Sequence, residues 1–441
     1  MTNLIRRAFC ALIVNAALSL TATGQIGRGS WEEPDFKEFG PPFEFVPKYE
    51  HEPQNRKLIK NADFFCTQCV KEGRLPFKNR ADIKDKLEWT KPFPIEFQGQ
   101  KERTYGLWRI AEHDADLVMN YVFKELKTED PIYIEDKWFR QFTDFEGFNT
   151  KLEPMPRREI ELDQLGDIFP EVTRKTVAIN GHHRAHLYLI RAHRAKRDFE
   201  LLIDYDAKAK ELDFLGPYHG CREKYEIYIF DKREAKLGKV LQKFLGHSPQ
   251  LDGECWHTLK DDGMCAFMHC ENLHDFQLNN TFTHRLAFNF AQAYRSYQFD
   301  NPAWFQLGFG HFFERRERTD FNTFLLGEGR MPDLWGNTKW KVAVRKMVEK
   351  DEVRPFAEIA AFENISNIKP AERGPVWSMV SYLIQLDQKK FAKFYKTLKD
   401  KKQGESVFNL QVRAFQVGYG LSVTRFFDDW KAWVLATYPA M

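Results

Sequence analysis

Asn280-Thr-Phe-Thr-His-Arg-Leu-Ala-Phe288 and, a few residues on, Asp300-Asn-Pro-Ala-Trp-Phe-Gln-Leu-Gly-Phe-Gly-His-Phe-Phe-Glu314 are the two stretches on which the fold turns. In the first, Phe282, Leu286, Phe290 and Ala293 recur at helical spacing, so it reads as an amphipathic helix with one buried side. His284 and Phe288 stand four apart and share a side of that helix. The second opens on Asn301-Pro302, an N-cap residue followed by proline at the first helical position, and starts another helix. The pattern therefore predicts two consecutive helices rich in aromatic residues.

Upstream, Tyr225–Phe230 is a strong strand, dense in β-branched and aromatic residues. It runs into Asp231-Lys-Arg-Glu234, which resembles a capping box, and the following helix ends at Gly246. Met264–His269 is a short apolar strand. Further back, His186–Ala192 reads as a strand and Phe199–Leu215 as a helix. Downstream everything looks helical, including the Lys-rich stretch Lys389–Lys402, where Phe391, Phe394, Tyr395 and Leu398 mark the buried side of a solvated helix. The expected class is α+β, a mixed α/β lobe over 161–275 followed by a helical lobe over 276–441. Before them, 25–160 forms an N-terminal extension. Its first part, 25–60, is an extended, proline-rich lead-in, and a helix is expected near Ala111–Lys127.

The two helical stretches resemble the gluzincin metallopeptidases, especially the bacterial peptidase-MA-like branch. In that family the first helix reads H-E-x-x-H, with two zinc-binding His and a general-base Glu. The second reads roughly P-x-W-[LF]-x-E-G-[LFA]-A-x-[YF]-[FW]-E, where the Glu before Gly is the third ligand. Pro302, Trp304, Phe305, Gly308, Phe309, Phe312, Phe313 and Glu314 fit the second pattern. Val376–Leu383, Gly418–Ser422 and Trp430–Trp433 extend the resemblance, which covers about residues 165–441 and implies a zincin, thermolysin-like architecture. The catalytic positions depart from it. His284 occupies the first ligand position, but Arg285 stands at the general base, Phe288 at the second ligand and Leu307 at the third. Phe and Leu offer no donor, and a guanidinium stays protonated at neutral pH.

The resemblance thus implies a pseudopeptidase without zinc that binds or scaffolds an unidentified protein or peptide. Its cleft would be lined by His284, Arg285, Phe288, Trp304 and Leu307, with Arg285 suited to a carboxylate. Two alternatives stay open: an active zinc hydrolase with a rearranged site, or a structural cell-envelope protein attached through its N-terminal extension. A rearranged site would draw on His284 with Glu314, with His311 or His269 in support, or on His182 and His186 in Gly181-His-His-Arg-Ala-His186. The latter histidines have helical ligand spacing but lie where a strand is expected, which argues against convergence. No Gly-rich phosphate loop and no G-x-S-x-G elbow occurs.

The whole chain of 441 residues balances 66 Lys+Arg against 63 Asp+Glu, a net +3 without basic runs, which argues against a nucleic-acid binder. Its 40 Phe, 15 Tyr and 11 Trp supply ample apolar surface for a folded core. Residues 1–24 read as a Sec-type signal peptide, with Arg6 and Arg7 before an apolar run and Ala22-Thr23-Gly24 at the cleavage end. Cys10 lies inside that run and not after a lipobox. A secreted or periplasmic location is expected, with no later membrane-spanning segment. The six remaining cysteines, Cys66, Cys69, Cys221, Cys255, Cys265 and Cys270, are then disulfide candidates. Cys66-Thr-Gln-Cys69 is a lone CxxC pair for which half a metal site and a redox pair are the other readings.

Overall fold

Tyr225–Phe230 sits at the centre of the sheet and explains its organisation. All six residues are buried, and the side chains alternate between two cores: Ile227 and Ile229 face one, Tyr228 and Phe230 the other. Gly263–His269 does the same, with Ala266 and Met268 opposed to Cys265 and Phe267. A strand covered on both faces needs no alternating polar side, hence the apolar runs that only the buried Glu226 interrupts.

The computed structural model describes residues 63–87, 110–111, 121–126, 131–152, 155–206, 216–246, 253–258, 262–295, 301–319, 321–323 and 339–440. The expected signal peptide and proline-rich lead-in, 1–24 and 25–60, lie outside these residues. The strands are β1 (Phe65–Cys66), β2 (Ile110–Ala111), β3 (Ile132–Glu135), β4 (Phe139–Thr143), β5 (Phe148–Asn149), β6 (Ala178–Ile179), β7 (Tyr225–Phe230), β8 (Gly253–Thr258) and β9 (Gly263–His269). Seven of them form one mixed sheet in the order β1-β3-β4-β7-β9-β8-β2, and β5 pairs with β6 separately. β4, β7 and β9 are mutually parallel, while β8 runs antiparallel to β9 with Trp256 opposite Cys265. Residues 65–143 thus contribute four strands to the sheet that also holds 225–269.

The helices used below are α1 (Thr67–Lys71), α2 (Met155–Gly166), α3 (Gly181–Leu202), α4 (Lys239–Leu245), α5 (Asp275–Ala293), α6 (Ala303–Glu317), α7 (Trp340–Glu349), α8 (Phe356–Ala360), α9 (Arg373–Leu386), α10 (Gln388–Leu398), α11 (Val407–Tyr419) and α12 (Val423–Thr437). One sheet face is covered by α3 and α5; Leu237, Val240 and Leu241 cover the other. From α5 onward the described chain is helical, as its patterning predicts, and Phe391, Phe394, Tyr395 and Leu398 of α10 are buried. No described helix is long and apolar enough to cross a membrane.

Several local expectations are corrected. His186–Ala192 is not a strand but the middle of α3, and the helix expected over Phe199–Leu215 is the end of α3, which closes at Leu202; 207–215 lie outside the described residues. The side chain of Asn180 starts α3 by accepting from the His183 N–H at 2.8 Å. Buried arginines inside the helix hide its polar side from a periodicity reading. Arg191 donates through Nε and Nη2 to Glu161 of α2 at 3.0 and 2.8 Å, and through Nη1 to Asp275 of α5 at 2.7 Å. Asp231 does not cap a helix; it pairs with Lys236 at 2.7 Å, and a wider π-helical turn, Arg233–Gly238, precedes α4. Pro302 is itself the N-cap of α6, so the helix starts one residue later than expected. Near Ala111–Lys127, Ile110–Ala111 is a strand and Tyr121–Glu125 a π-helical turn; 112–120 lie outside the described residues.

Candidate functional site

α5 and α6 pack side by side, and their facing residues form a closed interior. His284 is fully buried, with Nδ1 3.0 Å from Glu314 Oε2; His311 Nδ1 lies 2.7 Å from Glu314 Oε1. The Thr323 N–H also donates to Glu314 Oε2 at 3.0 Å, so both carboxylate oxygens are engaged. Burial alone would raise the Glu314 pKa, but the two imidazoles hold it at about 2. The backbone of α6 comes close to His284 at Gly310, where a Cβ would lie 2.7 Å from Nε2. His284, His311 and Glu314 thus bring three donor atoms within 4.8 Å of one another, all inaccessible to solvent. His269 is apart from them and accepts from the Glu271 N–H at 3.1 Å.

The other positions singled out on this helix pair are interior as well. Arg285, Trp304 and Leu307 are fully buried and Phe288 is 3% exposed. Phe288 and Leu307 belong to the apolar core, and Trp304 Nε1 donates to Gln411 of α11 at 2.7 Å. Arg285 points towards the start of β8, where a Cβ on Gly253 would meet its Nη2 at 2.9 Å. Its Nε and Nη1 are buried without a hydrogen-bond partner.

A second group of residues converges elsewhere, on a geometry only half legible in the sequence. Cys66 closes β1 and caps α1, its Sγ accepting from the Cys69 N–H at 3.4 Å, so the CxxC turn aims both sulfurs the same way. His182 and His186 stand one turn apart on α3 and share a side. Nε2 of His182 is 3.4 Å from Cys66 Sγ and 3.2 Å from Cys69 Sγ; Nε2 of His186 is 3.3 Å from Cys69 Sγ. All four residues are buried, and Phe169 sets its ring edge-on to both imidazoles. Glu72 is 3.1 Å from His182 Nδ1 and is held in turn by Gln68 and Arg74. Burial alone would push the Cys66 thiol up, but Cys69 and the imidazoles hold it well below its usual range. Glu72 and Phe169 were not foreseen, and no local signal marks them. A third cluster, Cys221, His257 and Asp262, is also buried, with His257 Nε2 2.7 Å from Asp262 Oδ1.

The expected disulfides are not formed: all six cysteines are free thiols. Cys66 and Cys69 face imidazoles. Cys255 and Cys265, on paired strands, point into cores on opposite faces of the sheet and cannot meet. The chain matches no protein-family model, no curated protein and no solved structure.

Proposed function

We propose that this chain is a non-catalytic, gluzincin-like protein of the secreted or periplasmic space that acts by binding or scaffolding a protein or peptide. The observation that carries this reading is Arg285. It stands at the position of the family's general base, fully buried between α5 and Gly253, with two guanidinium nitrogens lacking a partner. A guanidinium stays protonated at neutral pH and cannot serve as a general base. The zincin architecture is supported by β8, the one strand antiparallel to β9, which packs with β9 against α5. Phe288 and Leu307, at two ligand positions, are packed as core. The location rests on residues 1–24 alone.

The convergence of His284, His311 and Glu314 favours a second reading, an active hydrolase with a rearranged zinc site. A catalytic zinc keeps one coordination position open to water and substrate. Here all three donors are sealed, and the carboxylate is engaged by both imidazoles and a backbone N–H.

The test pairs an assay with a restoration. The purified chain is expected to show no EDTA-sensitive cleavage of a fluorogenic peptide mixture, with or without added zinc; such cleavage establishes the hydrolase instead. The triple variant Arg285→Glu, Phe288→His, Leu307→Glu is expected to take up about one more zinc than the parent chain. A folded triple variant with unchanged zinc content rules out the gluzincin register of α5 and α6.

A further inference from the structure

Four side chains from two distant parts of the chain meet at one buried point, and their chemistry is selective. Two sulfurs and two imidazole nitrogens are the donor set of a closed, tetrahedral zinc site. With zinc–sulfur bonds near 2.3 Å and zinc–nitrogen bonds near 2.0 Å, tetrahedral geometry puts sulfur and nitrogen donors about 3.5 Å apart. Three of the four sulfur–nitrogen separations, 3.2, 3.3 and 3.4 Å, lie within a few tenths of an ångström of that edge, and all four donors lie within 4.8 Å of one another. We propose that Cys66, Cys69, His182 and His186 form a structural zinc(II) site that fastens β1 and α1 to the first turns of α3.

Three surrounding features fit a metal centre. The Cys69 N–H donates to Cys66 Sγ, stabilising that sulfur as a thiolate. Glu72 accepts from Nδ1 of His182, which fixes the ring and leaves Nε2 as the ligand atom, the outer-shell arrangement typical of metal-bound histidine. Phe64 and Phe169 pack against the His186 ring and exclude water. Both thiols release their protons on binding, and the two thiolates neutralise the dication, so the closed site carries no net charge. Four protein donors leave no position for water, which makes the role structural. This site is separate from α5 and α6 and does not depend on the peptidase-like reading.

The experiment uses the full chain expressed with zinc supplied. Elemental analysis is expected to find about one zinc per chain. Cys66→Ser with Cys69→Ser is expected to remove it, whereas His284→Asn, which breaks the other histidine cluster, keeps it. Cobalt exchanged into the protein is expected to show intense visible d–d bands and a thiolate-to-cobalt charge-transfer band. Should the serine variant fail to fold, the cobalt spectrum of the unsubstituted chain decides by itself. Natively folded protein without zinc, bound metal that lacks the thiolate band, or a Cys66–Cys69 disulfide seen as the loss of two hydrogens overturns the proposal.

Discussion

A Cβ added at Gly310 would lie 2.7 Å from His284 Nε2 and 2.8 Å from Cε1, too close for a ring that α5 and Glu314 hold in position. In an ordinary helix interior, Gly→Ala gains about 1 kcal/mol of helix propensity. Here the overlap dominates, because overpacking a rigid interior costs about 1–3 kcal/mol. Gly310→Ala is therefore expected to lower stability in urea unfolding, and His284→Ala in the same chain to remove that loss. An equal loss in both backgrounds would show that the close approach is not its cause. At this scale the sequence was partly legible. His284 stood out, but helical spacing sets it away from the Phe282, Leu286 and Phe290 side, and it is buried because α5 is enclosed on every side. That its partner is Glu314 depends on how two helices are set against each other, which local pattern does not encode.

α3 shows why element type was harder to read. His186–Ala192 is apolar enough for a strand, and the charged residues that flank or interrupt the run hide its helical period. In the fold Arg184, Arg191 and Arg194 are buried because Glu161 and Asp275 reach them from α2 and α5. Once α3 is a helix, His182 and His186 converge, and the CxxC turn 116 positions earlier becomes their partner. Both motifs were visible separately; their meeting is a long-range fact. The same helix carries a stability prediction. Arg191 is fully buried between two carboxylates that keep Arg184 and Arg194 as partners, so Arg191→Leu removes charged hydrogen bonds without isolating either anion and is expected to cost about 1.5–3 kcal/mol. Arg191→Lys should recover part of this loss, because it restores the charge without the two-pronged contact. Chemical denaturation of both variants measures the difference, and a Leu variant as stable as the Lys variant would refute the role of charge.

For the molecule as a whole, the six described cysteines are free thiols in a sequence with a leader-like start, and burial reconciles the two. Cys66, Cys69, Cys221, Cys255 and Cys265 are sealed from solvent. Cys270 is partly exposed, but burial raises its thiol to about 11, which keeps the reactive thiolate scarce at neutral pH. Native protein is expected to resist iodoacetamide, with slow labelling at Cys270 at most. After unfolding with a chelator and no reductant, all six should alkylate; fewer adducts by mass would mean disulfides had formed. The α+β class was legible from strand and helix patterning, whereas the sheet's membership was not, because β1 and β2 are two residues long and leave no periodic trace. Those same two strands are the sheet's outer margins. A chain with a net charge of only +3 has little electrostatic repulsion to keep copies apart. Among the described residues, margins this brief offer a neighbouring molecule only a short row of free amides and carbonyls on which strand-to-strand aggregation grows.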